Sequence, residues 1–266
     1  MVKWSGHLAN FIARRPPRTV PLQAIEPRRL YRQIADQIRA GMRSGDFPPG
    51  SRLPAERELA QQLGVSRPSV REAIIALEVE GLVEVRVGSG VHVLDTPPAR
   101  KARSLGDASG PFEIIRARQI VEGELAALAA RRMNKAQVAE LRGVLATMDA
   151  DIAAGSMPIH SDREFHLCVA GAADNAPLLH TVTELYDERN NPLFETFGQH
   201  FENARTWRMA LVEHQAVLDA IAARDADGAR RAMQRHLQRS QDRFAKMAVK
   251  ARAQPARQTP TRKTVP

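Results

Sequence analysis

The chain has 266 residues, of which 43% are hydrophobic, and this length and composition favour two domains with buried cores. It contains no apolar run of 18 residues and no apolar secretory signal, which excludes membrane-spanning and exported proteins and predicts a cytoplasmic location. The single cysteine, Cys168, excludes an intramolecular disulfide and is expected to be a small buried hydrophobic residue.

The formal net charge of +9 lies in the two ends of the chain. Residues 1–24 carry four basic residues and residues 250–266 carry five, and neither segment contains an acid. We expect both segments to be disordered basic tails, which either attract phosphates or have no role. Residues 25–95 contain ten arginines and ten acids, so DNA binding by that segment cannot be argued from net charge.

The first predicted element is an amphipathic helix over residues 28–45, where apolar residues recur at every fourth position from Leu30 to Met42. Two prolines and a glycine at 48–50 then break the chain, because proline cannot continue a helix. A short second helix is predicted to begin at Pro54 and to end before Gly64.

The segment that follows predicts a helix-turn-helix. Gly64, Val65 and Ser66 have the length of its tight turn, and Ser66 is placed to cap a helix over residues 67–80. The apolar stripe of that helix faces inward and leaves polar side chains near its exposed N-terminus, where recognition helices present them to DNA. These side chains are Arg67, Ser69 and Arg71.

A β-hairpin is predicted after this helix. Residues 82–87 alternate apolar and polar, turn at Gly88-Ser89-Gly90, and return over residues 91–94. A glycine-rich tip can approach a sugar-phosphate backbone closely. The predicted hairpin is therefore the wing of a winged helix-turn-helix.

Residues 28–95 resemble the DNA-binding domain of GntR-family regulators, above all in the stretch PPGSRLPAERELAQQLGVSRPSVREAIIALEVEGLVEVRVGSG. The resemblance implies that the arginines contact phosphates and guanines, the serines the backbone, and the wing glycine the minor groove. The implied DNA contacts are Arg57, Ser66, Arg67, Ser69, Arg71 and Gly88. Pro68 departs from the hydroxyl residue of some relatives, which puts one backbone hydrogen bond in doubt.

Linker composition follows at residues 96–110, and beyond it the sequence is rich in Ala, Leu, Glu and Arg with no alternating segment. We predict an all-helical bundle of about six or seven helices, with breaks near residues 133–134, 155–158, 171–177, 190–192 and 224–228. The predicted fold is therefore mainly α. Its parts are a basic tail (1–24), a winged helix-turn-helix domain (25–95), a linker (96–110), a helical ligand-binding and dimerisation domain (111–249) and a second basic tail (250–266).

Four polar residues of the helical part predict a metal site. Asp162 and His166 lie four apart, on one face of a helix. Helices on either side of a turn at Asp225 would form an antiparallel hairpin. His214 and His236 are each 11 positions from Asp225, or about 16 Å along a helix, so they should lie at the same height on the two helices. One carboxylate and three imidazoles suit a divalent ion, with Zn²⁺ first and Ni²⁺ or Mn²⁺ as alternatives.

Residues 112–245 resemble the FCD ligand-binding domain of FadR-type GntR regulators. The resemblance lies in the patterns Asp-x-x-Phe-His at 162–166, Glu-His at 213–214 and Met-x-x-His-Leu at 233–237. It implies that all four metal positions are filled and that Arg118 lies in an effector cavity, where its planar fork could hold a carboxylate. The alternative is that Arg118 and Glu122 form an ordinary surface pair four residues apart.

Three phrases, at residues 118–122, 162–167 and 185–194, are most similar to the regulators of hexuronate catabolism. A sugar acid would suit the metal site, because its carboxylate and a neighbouring hydroxyl can chelate the ion. Arg118, Asn175 and Arg189 are then the predicted effector-binding residues, although other small carboxylates fit the same reasoning.

These observations predict a homodimer that binds double-stranded operator DNA, is controlled by a small carboxylate effector and has no membrane partner. Release of a repressor by the effector is the first expectation, and activation by the same protein is the alternative. Two other functions would require different features of the sequence. A metallohydrolase would need a general base or nucleophile paired with the metal ligands, and no such motif is present, so we predict no enzyme. An architectural DNA-binding protein would use its basic tails and show no effector response.

Overall fold

A computed structural model describes residues 29–86, 88–95 and 108–250, with side chains described as far as Phe244. The predicted N-terminal tail, most of the predicted linker and the C-terminal tail beyond Lys250 lie outside the described residues. None of the helices in these three ranges is both long and apolar enough to cross a membrane.

The N-terminal part has the order helix, helix, helix, strand, strand, and the part after residue 108 is helical throughout, as predicted. The first part consists of α1 (Leu30–Ser44), α2 (Glu56–Leu63), α3 (Arg67–Val79), β1 (Val83–Arg86) and β2 (Gly90–Val93). The second consists of α4 (Pro111–Arg132), α5 (Lys135–Ala153), α6 (Ile159–Gly171), α7 (Ala176–Asp187), α8 (Pro192–Phe201), α9 (Ala204–Ala222) and α10 (Ala226–Lys250).

Local chemistry explains the helix-turn-helix. Gly64 ends α2 in the left-handed conformation with φ at 65°, which costs glycine little. Ser66 then caps α3, because its Oγ accepts a hydrogen bond from the Ser69 backbone N–H at 3.2 Å. The turn and the cap together fix the direction in which α3 leaves α2.

The hairpin after α3 is antiparallel, with Val83 opposite Val93 and Arg86 opposite Gly90. Gly88 lies at its tip with φ at 81°, another left-handed position. Val83 and Val93 are buried against the helices, so the strands are anchored at their base while the tip is exposed.

In the helical part, α4 packs along α10, and α10 forms an antiparallel hairpin with α9. Small residues let α4 and α10 approach closely: a Cβ atom on Gly123 would lie 2.7 Å from the side chain of Gln234. Ala126, Ala129 and Ala130 are fully buried on the same helix. This close packing brings side chains of α4, α6, α9 and α10 to one point inside the bundle.

One helix boundary was missed from the sequence. Residues 193–223 contain no proline and only one glycine, so no helix break was predicted there. In the structure, α8 ends at Phe201 and α9 begins at Ala204. Asn203 caps α9 by accepting hydrogen bonds from the N–H groups of Arg205 and Thr206, both at 3.1 Å. Asn203-x-x-Thr206 is a capping signal that could have revealed the boundary.

Candidate functional site

The four predicted metal ligands come together inside the bundle. Asp162 and His166 lie on α6, His214 on α9 and His236 on α10, and all four side chains are buried. One ligand atom from each lies within 4.8 Å of the others. The level placement of His214 and His236 across the hairpin is also found, since their ring centroids are 4.1 Å apart.

The spacing of the ligand atoms fits a small divalent ion. His214 Nε2 lies 3.3 Å from His166 Nε2 and 3.4 Å from Asp162 Oδ1. His166 Nε2 lies 3.8 Å from Asp162 Oδ1. Two ligands of a tetrahedral zinc ion, each about 2.0–2.1 Å from the metal, are separated by about 3.3 Å. The residues present therefore fit a metal without rearrangement of the helices.

Two buried carboxylates orient the histidine rings. His166 Nδ1 donates to Glu122 on α4, and His236 Nδ1 donates to Glu213 Oε2 at 3.0 Å. A proton on Nδ1 leaves the Nε2 lone pair of each ring free for a ligand bond. Carboxylate–histidine pairs of this kind hold the ligands of metal sites in many proteins. Sequence reasoning did not assign either glutamate to the site, although Glu213 directly precedes His214.

The carboxylate oxygen of Asp162 that does not face the histidines, Oδ2, is also bound within the protein. Oδ2 accepts hydrogen bonds from the Tyr186 hydroxyl and from Arg189 Nη1, the latter at 2.9 Å. Burial alone would raise the pKa of Asp162, but the neighbouring His166, His214 and Arg189 outweigh it and hold that pKa well below its usual range. Asp162 is therefore ionised, with Oδ1 directed to the histidines.

The ionisation of two of the histidines also suits a metal. Burial lowers the pKa of His214 well below its usual value, and the neighbouring His236 lowers it further. Burial likewise lowers the pKa of His236 despite its hydrogen bond to Glu213. His214 Nδ1 is buried without a hydrogen-bond partner. These imidazoles are neutral near pH 7, which is the form that binds metals.

A cavity of about 450 Å³, its open mouth included, adjoins the cluster. Both polar and aromatic side chains form its wall. The lining residues are Arg118, Asp162, His166, Arg189, Phe201, Glu202, Thr206, Trp207, Ala210, His236, Leu237, Ser240, Arg243 and Phe244.

Arg118 and Arg189, two of the three predicted effector-binding residues, line this cavity. Arg118 is 3% exposed, which excludes the alternative of a surface pair. Its Nε donates to Glu122 Oε1 at 2.6 Å, whereas its Nη2 is buried without a partner. Both guanidinium groups lie over the ring of Tyr186, at 4.7 Å for Arg118 and 4.9 Å for Arg189.

Asn175, the third predicted effector-binding residue, lies elsewhere. It is exposed at the start of α7, where its Oδ1 accepts a hydrogen bond from the Leu178 N–H at 3.1 Å, and it does not line the cavity. Its role is that of a helix cap. The polar residues that do line the cavity and were missed are Glu202, Thr206, Ser240 and Arg243. They carry no local sequence signal for a binding site, because only the packing of α10 against α8 and α9 brings them to one cavity.

Most of the predicted DNA-contacting residues are on the surface. Arg57, Ser66, Arg67 and Gly88 are exposed, and Ser69 is half-buried in the first turn of α3. Arg57 and Arg67 lie on the two helices of the motif, and Gly88 lies at the hairpin tip. This is the arrangement that a winged helix-turn-helix requires. In it α3 is the helix that enters the DNA groove, called the reading helix below, and the hairpin is the wing.

Arg71 is the exception, and the prediction that it is exposed is wrong for this structure. It is 2% exposed, although it lies one turn after Arg67 on the same helix. Its Nε donates to Glu56 Oε1 at 3.0 Å and its Nη1 donates to the Phe244 carbonyl at 2.6 Å. The reason is tertiary: α3 docks against α8, and Arg71 reaches the backbone of α10, which the sequence pattern of α3 cannot show.

Comparison with known proteins shows the same two parts. The model of "Bacterial regulatory proteins, gntR family" matches residues 30–93, and that of the FCD domain matches residues 113–239. The "Uxu operon transcriptional regulator" of Escherichia coli (strain K12) is 34% identical over 229 residues, which cover 83% of this chain and 89% of that protein. The chain belongs to the GntR family of bacterial transcription regulators.

Two further relatives from E. coli (strain K12) are 35% identical to this GntR regulator. The "Exu regulon transcriptional regulator" matches over 225 residues, 82% of this chain and 85% of its own. The other, provisionally named as a regulatory protein of the L-lactate dehydrogenase operon, matches over 223 residues, 79% of this chain and 84% of its own. These relatives are transcription regulators, which agrees with the expectation that the chain is not an enzyme.

Two more charged residues of α3 contact the FCD domain. Glu72 Oε1 accepts a hydrogen bond from the Phe112 N–H at 2.9 Å, at the start of α4. Glu78 Oε2 lies 2.6 Å from His200 Nε2 on α8. Burial raises the pKa of Glu72 to about 7, and the hydrogen bond to Glu78 raises the pKa of His200. The reading helix is thus docked through a carboxyl group whose pKa is about 7 and a histidine whose pKa is raised.

The Glu72→Gln variant should melt several degrees above the wild-type chain at pH 8 and at nearly the same temperature at pH 5. The folded-state pKa of Glu72, about 7, lies above its ordinary value of 4.5. Folding is therefore favoured by the neutral form, and its contribution is lost as the pH rises through 7, at a cost of about 1–3 kcal/mol. Glutamine keeps the acceptor for the Phe112 N–H and does not ionise.

Thermal melts of both proteins at pH 5, 6, 7 and 8 measure this difference. A variant that is less stable than wild type across the whole range would show that the Glu72 carboxylate is stabilised when ionised, contrary to the prediction.

Proposed function

We propose that this GntR regulator is a repressor whose operator binding is controlled by a small hydroxy-carboxylate bound beside a divalent metal in the FCD domain. Each chain has one reading helix and one wing, so a homodimer would place two reading helices in successive major grooves of a near-palindromic operator. The proposed DNA contacts are Arg57, Ser66, Arg67, Ser69 and Gly88. Arg71 would join them only when α3 is undocked from the FCD domain.

The observation that supports the effector proposal is that the ligand cluster and two arginines line one cavity. Asp162, His166 and His236 form part of its wall together with Arg118 and Arg189. A metal held by these ligands would bind an oxygen of the effector as a Lewis acid, and the partnerless Nη2 of Arg118 is a donor suited to a carboxylate. Anionic ligands of small size are therefore favoured over neutral ones.

The resemblance to hexuronate-catabolism regulators and the L-lactate operon in one relative's name suggest the same ligand chemistry. Hexuronates and lactate both carry a carboxylate with an oxygen on the adjacent carbon, and this pair can chelate one metal ion. We place a hexuronate first. For the metal we place Zn²⁺ first, because three imidazoles and one carboxylate at these separations suit it, with Ni²⁺ and Mn²⁺ as the alternatives.

The test is thermal stabilisation of the full chain by D-galacturonate, D-glucuronate and L-lactate, each with Zn²⁺ and with a chelator. A ligand at 100 times its Kd stabilises the folded state by about 2.7 kcal/mol, which raises the melting temperature by several degrees. We expect a shift for at least one acid, and only in the presence of the metal. Galactose and the methyl ester of galacturonate are matched controls that lack the carboxylate.

The controls separate the proposals. Equal shifts with the ester and the acid would contradict carboxylate recognition, and shifts that persist in chelator would contradict the metal-assisted site. A chain that binds operator DNA but responds to none of these ligands would favour the architectural alternative.

A further inference from the structure

The reading helix α3 contacts the FCD domain through Arg71, a side chain that was predicted to contact DNA. The guanidinium of Arg71 donates through Nε and Nη2 to the Glu56 carboxylate and through Nη1 to the carbonyl oxygen of Phe244. Each of its three nitrogens therefore has a partner inside the protein. At 2% exposure, the group is not available to a phosphate or a base.

Two of the residues around Arg71 also belong to the wall of the effector cavity. Phe244 lies on α10 and Phe201 at the end of α8, and both line that cavity. The Arg71 guanidinium lies 6.0 Å from the centre of the Phe201 ring. A metal ligand, His236, is two turns before Phe244 on the same helix. Only one layer of side chains separates the cavity from the reading arginine.

Three other contacts hold α3 and its neighbours in this position. They are the ion pair between Glu78 and His200 at 2.6 Å, the hydrogen bond from the Phe112 N–H to Glu72 at 2.9 Å, and the ion pair between Arg29 and Glu113 at 2.7 Å. None of the three involves a residue proposed to contact DNA. Docking can therefore be weakened without alteration of the DNA-facing surface.

We propose that docking of α3 on α8 and α10 is an autoinhibitory latch that withholds Arg71 from DNA. The proposal rests on the proposed function, since it requires Arg71 to contact operator DNA once released. DNA binding must break the hydrogen bond to Phe244 and expose the guanidinium. Because Phe201 and Phe244 face both Arg71 and the cavity, a ligand in the cavity contacts the residues that form the latch.

The opposing interpretation is that Arg71 is a permanent brace between the domains and never contacts DNA. The two interpretations predict different results for a variant that loosens the docked state. A latch predicts tighter operator binding, because less free energy is spent on release. A brace predicts unchanged or weaker binding.

The experiment measures operator affinity by fluorescence anisotropy for the full chain, with an operator selected from random-sequence DNA by the wild-type protein. His200→Ala removes the pair with Glu78, and we expect it to bind that operator about 3- to 5-fold more tightly than wild type. The direct electrostatic effect has the opposite sign, since the variant loses a basic group and frees an acidic one. His180→Ala, an exposed histidine on α7, is the matched control and should show no change.

The same substitution in an Arg71→Gln background makes the test specific. We expect Arg71→Gln to weaken operator binding, and His200→Ala to give no gain when Arg71 is absent, which is a coupling that a double-mutant cycle measures. An equal gain in both backgrounds, or no gain in either, would overturn the latch. Since Arg71→Gln alters both the docking and the DNA contact, the coupling decides: a coupling of zero means that the latch is wrong, while the proposed function still stands on the result for Arg67→Ala.

A second variant protects the test against misfolding. Should His200→Ala fail to give the wild-type circular dichroism spectrum, Glu113→Gln removes the exposed pair with Arg29 and should shift the operator affinity in the same direction. Unchanged affinity in this folded variant would then count against the latch.

Discussion

The His214→Ala variant is expected to bind Zn²⁺ at least about 100-fold more weakly than the wild-type chain. His214 is 0% exposed, and its Nε2 lies 3.3 Å from His166 Nε2 and 3.4 Å from Asp162 Oδ1. Its loss removes one of four converging ligand atoms and leaves a space that no neighbouring donor fills. The measurement is metal content after dialysis, followed by competition with a chromogenic chelator.

A graded series distinguishes metal ligation from a general loss of packing. Asp162→Asn should also lose tight binding, because the amide is a weaker ligand in a side chain of nearly the same shape. Glu213→Gln keeps all four ligands but weakens the hydrogen bond to His236 and the ion pair with Arg243, and its zinc affinity should fall by about 10-fold. His180→Ala should match wild type. Equal zinc content in all five proteins would refute the metal site.

The same series connects the metal to the effector. If the ion and Arg118 hold one ligand together, His214→Ala should lose the thermal shift produced by the active acid even at saturating Zn²⁺. A full shift in that variant would show that the acid binds elsewhere.

The Arg67→Ala variant is expected to lose about 1–3 kcal/mol of operator affinity, or roughly 5- to 150-fold. Arg67 is exposed in the first turn of α3, where the helix dipole also favours phosphate. The loss should be largest for the selected operator and small for unrelated DNA, since base contacts carry the sequence preference. Anisotropy titrations with both DNAs at two salt concentrations measure it.

Arg208→Ala is the matched control, because it removes an exposed arginine from α9 in the FCD domain. It should leave the ratio of specific to non-specific affinity unchanged. An Arg67→Ala variant with the wild-type ratio would show that α3 does not read the operator. Because Arg71 is buried, Arg67 is the cleaner test: a substitution at Arg71 alters domain docking as well as DNA binding.

The amino-acid sequence alone determined much of the fold, for local reasons. The glycine at 64, the serine cap at 66 and the apolar stripe that follows specify a turn and a helix whatever the rest of the chain does. The placement of His214 and His236 was also predictable, because two helices of known rise joined by one turn leave little freedom. Their meeting with Asp162 and His166 followed from the family resemblance.

Tertiary structure alone decided which polar groups support the site and which arginine is free. Glu122 and Glu213 have the sequence context of ordinary helical glutamates, and only the packing of α4, α9 and α10 turns them towards His166 and His236. Asn175 is polar and lies between α6 and α7, yet its side chain caps α7 and does not reach the cavity. Arg71 shares a helix with the exposed Arg67, but a carbonyl from residue 244 lies against it. Periodicity shows which face of a helix is apolar, whereas the burial of Arg71 depends on a partner 173 residues away in the sequence.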